Sequence, residues 1–297
     1  MKKIFLILAV LCIPVMSATA FDWWPFGNST TDYVEQLHKA ETKRSKSGNR
    51  HSQSFYAVKR EMLDKVYYDH RQTLYCGADF TLHKKIILPY GFKLPNLRQV
   101  DFKVYDNITA NELQQKAERM EWEHIVPAQN FGKTFYEWTK GHKNCVSQKG
   151  KSFKGRQCAV QENEDFRYMY ADMYNLYPVI GAVNYLRAHF SPTQFATGQK
   201  NIFGSCNMKI SRNKMEPPDE VKGLIARTYL YMQATYPRYS IGEPAESVLK
   251  AWAKQYPVTK WECVRAYRIE KIQGNANKIT QKECLAKNWY KDDRGAW

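Results

Sequence analysis

The sequence predicts an α+β fold: one disulfide-stabilised domain, mostly helical, with a small β element. Three observations carry this prediction. Apolar residues recur at helical spacing in several separate segments. The run Met120-Glu-Trp-Glu-His124 has the length and alternation of a strand and is broken soon after by Pro127, which has no N–H for a sheet ladder. The cysteines expected in the mature chain are even in number.

The chain opens with basic Met1-Lys2-Lys3, an apolar stretch over 4–15 and then Ala18-Thr19-Ala20. This is the pattern of a cleaved secretory signal peptide, residues 1–20, and the apolar stretch is too short to span a bilayer. Leu11 stands before Cys12 where a lipoprotein would carry a small residue. No later segment is apolar enough to cross a membrane, so no stable membrane insertion is expected, and the protein should be periplasmic or secreted. Of 297 residues with a net charge of +16, loss of the leader takes 20 residues and the charges of Lys2 and Lys3, leaving 277 residues at +14. Such a charge, spread along the chain, suits a polyanionic partner, with nucleic acid ahead of anionic membrane. Residues 21–53 are polar, with Lys43-Arg44-Ser45-Lys46-Ser47-Gly48 near their end, and read as a flexible linker. The domain is then 54–297, long enough for a single large core.

Phe55, Val58, Met62, Leu63 and Val66 predict an amphipathic helix over 54–69. Cys76-Gly77 marks a turn, and 81–88 has strand character. Thr109 and Glu112 have capping-box spacing, so a short helix should run from there toward Met120. After the Glu-Trp-Glu-His strand, 141–158 reads as loop. Phe166, Met169, Tyr170 and Met173 predict a helix that ends at Tyr177-Pro178. Pro178 suits the first turn of a following helix, with Val179, Val183, Leu186 and Phe190 inward. Asn184 sits inside that helix, where Asn is unfavourable by about half a kcal/mol relative to Ala, so a functional reason is sought. Pro217-Pro218-Asp219 opens another helix; Val248, Leu249 and Trp252 mark one more, and 261–272 a last.

After loss of Cys12, six cysteines remain: Cys76, Cys145, Cys158, Cys206, Cys263 and Cys284. They allow fifteen pairings. Cys145 with Cys158 and Cys263 with Cys284 are the local choices, which would leave Cys76 to Cys206. No Cys-x-x-Cys exists, which argues against a zinc ribbon or a thioredoxin-type redox site.

The chemistry-bearing run is Glu123-His124 followed by the apolar turn Ile125-Val126-Pro127-Ala128. A carboxylate can hold a hard divalent cation, and a neutral imidazole can take a proton from water. With Lys143-Asn144-Cys145, the stretch from Asp172 through Tyr174-Asn175-Leu176 to Pro178, Gly181-Ala182-Val183-Asn184 and Glu216-Pro217-Pro218, the chain resembles the endonuclease I family of periplasmic and secreted nucleases, over roughly residues 55–285. That family belongs to the ββα-metal, or His-Me finger, nucleases.

The resemblance implies a non-specific endonuclease, cutting DNA and also RNA to 5′-phosphate ends, with one divalent ion, Mg2+ or in its place Ca2+ or Mn2+. Glu123 and Asn184 would be metal ligands and His124 the general base. Substrate contact is expected from His142 and Arg187, and a monomer is expected. In the family an arginine commonly stands shortly before this cysteine, as Arg-Lys-Asn-Cys or close to it; here Gly141-His142-Lys143-Asn144-Cys145 puts His142 where the arginine would be. Lys143 is favoured as the cation that takes over, with His142, Lys140 or Arg156 as alternatives. Tyr174 and Ala182 depart from the usual family residues. They keep open a rival reading, a basic nucleic-acid-binding protein with weakened catalysis. A zinc metalloprotease ranks below both, because no His-Glu-x-x-His run is present.

Overall fold

In the computed structural model, which describes residues 47–96 and 108–295, Ser54 starts the first helix by accepting a hydrogen bond from Ala57 N (3.2 Å). Helix α1 (Phe55–Glu61) runs on as a π-helical turn, Met62–Val66, and buries Val58, Met62 and Val66 as their spacing predicts. The expected leader and residues 21–46 of the expected linker lie outside the described residues. Residues 47–53, also expected in the linker, are held to the domain. Asn49 is fully buried; its Nδ2 donates to Tyr168 O (2.8 Å) and its backbone N–H to Tyr236 Oη (3.0 Å).

The strand expected over 81–88 is a hairpin instead. β1 (Asp79–Phe80) pairs antiparallel with β2 (Ile86–Ile87) across a turn in which Lys84 N donates to Thr81 O (2.8 Å) and Lys84 takes φ 63°. α2 (Ala110–Ala117) carries the predicted capping box: Glu112 N donates to Thr109 Oγ1 (3.2 Å) and Thr109 N to Glu112 Oε2 (2.8 Å). β3 (Met120–His124) follows, then short helices α3 (Ala128–Gly132) and α4 (Tyr136–Thr139). The loop expected over 141–158 ends early, because α5 (Arg156–Glu162) begins at Gly155, whose φ of 89° suits glycine. α6 (Glu164–Tyr170) and a 3-10 turn, Met173–Asn175, lead into β4 (Leu176–Ile180).

Pro178 therefore lies in a strand, not at a helix start. β3 and β4 form a two-stranded antiparallel sheet in which Trp122 faces Pro178 and His124 faces Leu176. Each strand has an outer edge, where a proline's missing N–H breaks no ladder. The helix begins three residues later as α7 (Gly181–Arg187). Gly181 is required there: a Cβ would meet Lys116 O at 2.7 Å, so only glycine lets α7 start against the end of α2. Val183 and Leu186 are buried as expected.

The remainder comprises β5 (Ser191–Pro192), β6 (Lys209–Ser211) and β7 (Lys214–Glu216) in a sheet ordered β5-β7-β6, then α8 (Asp219–Thr235), α9 (Ala245–Gln255), α10 (Lys260–Gln273) and α11 (Lys278–Ala286). α8, α9 and α10 match the predicted helices; the three-stranded sheet and α11 were not read from the sequence. The main core joins α1, the turn after β3, β4, α7 and α8 through Val58, Ile125, Leu176, Val183 and Ile225, all fully buried. Three disulfides, Cys76–Cys206, Cys145–Cys158 and Cys263–Cys284, realise the expected pairing.

Candidate active site

β3, β4 and α7 bring Glu123, His124 and Asn184 to one cleft of about 350 Å³, bordered also by Glu121, Arg156, Arg187 and His189. The turn after His124 is fixed by Asn175. Its Oδ1 accepts from Val126 N (2.7 Å) and its Nδ2 donates to Val126 O (3.0 Å), while Ile125 N donates to Asn175 O (3.0 Å). This clamp extends the β3–β4 ladder past the strand end and sets where the histidine side chain leaves the backbone.

His124 is held on two sides. Its ring stacks on Tyr170 (4.6 Å between centroids) and on Phe55 (5.0 Å). Its Nε2 lies 2.8 Å from Tyr170 O. A carbonyl only accepts, so Nε2 carries the proton and Nδ1 keeps a free lone pair. Burial pushes the ring's pKa down to about 3, and the nearby cations Arg156, Arg187 and Lys59 push the same way against the Tyr170 hydrogen bond. The imidazole is neutral across the physiological range.

Glu123 is buried. Its Oε1 accepts from Tyr75 Oη (3.2 Å) and lies 3.1 Å from Arg187 Nε, an ion pair outside hydrogen-bond geometry. Its Oε2 is buried with no partner among the described residues. Burial raises the carboxyl to about 7, against the opposing pull of Arg187 and Tyr75. A buried carboxylate oxygen without a donor is costly, and a cation from the cleft would remove that cost. Asn184 shares the cleft, and its Nδ2 donates to Glu121 Oε2 (2.8 Å). The two predicted ligands thus fit a hard cation by residue type and placement.

Arg187 is placed differently from its expected substrate-binding role. It is 1 % exposed and its guanidinium faces the protein, donating to His124 O (3.2 Å), Ile125 O and Tyr229 Oη (3.3 Å). It braces the Glu123-His124 backbone from behind. Lys143 and His142 lie in the loop between α4 and α5 and do not border the cleft. Lys143 is exposed, and His142 Nδ1 pairs with Glu162 Oε2 (3.0 Å).

Arg156 does border the cleft, at the start of α5, with its guanidinium carbon 5.8 Å from the ring centroid of Tyr170. It was one of the alternatives to Lys143 that the sequence left open. Cys158, in the same helix, is bonded to Cys145, so the disulfide joins α5 to the loop that carries Lys143. Glu121 was also passed over, although two residues before Glu123 on a strand is the same face.

Tyr174 and Ala182 are buried away from this cleft, and Tyr174 Oη donates to Asn275 O (2.9 Å). A larger hollow of about 500 Å³, beside Cys76–Cys206, contains none of the predicted catalytic or metal-binding residues.

The family model described as Endonuclease I matches residues 53–283. An extracellular deoxyribonuclease of Aeromonas hydrophila is 35% identical over 236 residues, covering 78% of this chain and 90% of that protein. A periplasmic deoxyribonuclease of the same organism is 35% identical over 237 residues, with 78% and 87% covered. Endonuclease-1 of Buchnera aphidicola subsp. Acyrthosiphon pisum is 33% identical over 251 residues, with 84% and 88% covered. With matches of this length on both sides, the chain belongs to the endonuclease I family.

Proposed function

We propose that this protein is an exported, metal-dependent endonuclease that hydrolyses DNA, and also RNA, without sequence preference, and that β3, β4 and α7 are a His-Me finger. The observation that carries the reading is the pairing of two unmet groups in one cleft: the free Nδ1 of His124 and the buried, partnerless Oε2 of Glu123. The names of the relatives, extracellular and periplasmic deoxyribonucleases, support the substrate and the export. The basic net charge fits a polyanion. No helix among the described residues is long and apolar enough to cross a membrane.

Glu123 Oε2 and Asn184 Oδ1 would hold the ion, with magnesium preferred for an all-oxygen set that leaves room for water and phosphate. When bound, it supplies positive charge that polarises the scissile phosphate and steadies the departing 3′ oxygen. His124 Nδ1 takes a proton from the attacking water. The water oxygen bonds to phosphorus, the bond from phosphorus to the 3′ oxygen breaks, and the phosphate stays on the 5′ end. A neutral ring keeps the base form present, and an incoming phosphate offsets the field of Arg156, Arg187 and Lys59 that opposes its protonation.

Tyr174 and Ala182, which kept the binding-only reading open, leave the cleft intact. The deciding experiment is plasmid cleavage with magnesium, with and without EDTA. Nicking that EDTA abolishes is expected; binding with no cleavage by folded, oxidised protein would establish the binding-only reading. Arg156 takes the role first assigned to Lys143, stabilising charge on the non-bridging oxygens of the phosphate. Arg156→Ala should lower the turnover number about a hundredfold, the usual scale for one such group, while Lys143→Ala should leave it near wild type. Equal turnover losses in the two variants would return the role to the loop.

A further inference from the structure

Asn184 can serve a cation only through Oδ1, because its amide nitrogen is a donor. An amide side chain can turn over and present either atom, so something must hold it the right way round. The surroundings of Glu121 supply that hold. Glu121 Oε2 receives Asn184 Nδ2 at 2.8 Å, and Glu121 Oε1 receives Lys116 Nζ at 3.2 Å. Lys116 comes from the last turn of α2, Glu121 from β3 and Asn184 from α7, so three elements converge on one carboxylate. Gly181 makes the convergence possible, because a Cβ there would stand 3.0 Å from the Glu121 carboxyl.

We propose that Glu121 is a positioning residue: its carboxylate, fixed by Lys116, captures the amide N–H of Asn184 and so turns Oδ1 toward the metal site. Outer partners of this kind orient a ligand without touching the ion. The proposal rests on the metal-dependent reading above. It assigns Glu121 no contact with metal or substrate.

The logic makes an unusual demand of the isosteric change Glu121→Gln. Lys116 has only donors, so it will select the oxygen of the new amide. The nitrogen of that amide then faces Asn184, which must turn its own oxygen toward β3 and its nitrogen toward the metal site. A space-filling role for Glu121 would survive this substitution, whereas an orienting role inverts. In the double variant Glu121→Gln/Asn184→Asp, the introduced amide N–H meets an acceptor that has a second oxygen to offer, and the ligand is restored.

The test is magnesium titration by calorimetry in the absence of nucleic acid, with melting temperatures measured alongside. Glu121→Gln should bind magnesium about tenfold to a hundredfold more weakly than wild type, the range for loss of an outer partner, with an unchanged melting temperature. The double variant should recover most of that loss. Wild-type affinity in Glu121→Gln, or no recovery in a folded double variant, would overturn the proposal. If wild-type protein takes up no magnesium, or if Glu123→Ala binds it as wild type does, the metal site itself falls. That result is distinct from a failure at Glu121 alone.

Discussion

His124→Ala is expected to cut DNA about a hundredfold to ten-thousandfold more slowly than wild type, the range for loss of a general base, while folding and binding DNA as before. The loss is chemical because the ring's free nitrogen is its working feature: Nε2 is committed to Tyr170 O, and Nδ1 has no competing partner among the described hydrogen bonds. Folding should survive because the histidine is only partly buried and caps an aromatic stack with Phe55 and Tyr170 that persists without it, those two rings being 4.7 Å apart. Added imidazole should restore part of the rate by filling the space that the missing ring leaves beside Phe55 and Tyr170. Single-turnover cleavage under saturating magnesium separates this from weakened binding. A His124→Ala protein that cuts at the wild-type rate would remove the histidine from the mechanism.

The largest stability effect is expected at Arg227→Leu. Arg227 Nε and Nη2 each lie 2.7 Å from a different oxygen of Glu262, a two-pronged pair that ties α8 to the first turn of α10. Both residues are about 4 % exposed, and Arg227 Nη1 also donates to Tyr256 O (2.7 Å). Removing the arginine strands a buried carboxylate, which costs about 3–5 kcal/mol. For a domain of this size, each kcal/mol lowers the melting temperature by about 2–4 °C. Arg227→Leu/Glu262→Leu should recover much of the loss, because a buried pair exchanged for apolar groups is often neutral. Urea unfolding of the oxidised protein measures both. A single-variant loss below about 1 kcal/mol, the scale of an exposed pair, would mean that water reaches this bridge.

What the sequence disclosed was whatever local chemistry decides. The Thr109–Glu112 box, the Glu-Trp-Glu-His strand and the helix after Pro217-Pro218 all rest on neighbours in the chain, and they stand as read. Pro178 was misplaced because its preference for a helix start and its tolerance at a sheet edge are both local. Only the pairing of β4 with β3, from more than fifty residues away, decides between them. The expected substrate contact of Arg187 does not show its surroundings: an arginine is almost never fully buried unless paired, and its pairing with Glu123 is a tertiary fact. Glu121 and Asn184 meet across 63 residues, with no signal in either segment alone. Arg156 stood among the alternatives to Lys143 in the sequence, and only its place at the start of α5, on the cleft, singles it out.

The Cys145–Cys158 crosslink has a consequence for the loop that leads to Arg156. Residues 146–155 leave and return between two covalently joined points, and Lys149, Lys151 and Lys154 stand exposed along the way. A protease that nicks this segment would produce two fragments in name only, because the sulfur bridge keeps both new ends in place and Arg156 on station. The segment is therefore the natural place to graft a tag or dye, or a longer arm that reaches along a bound strand, with the hydrolytic centre left undisturbed.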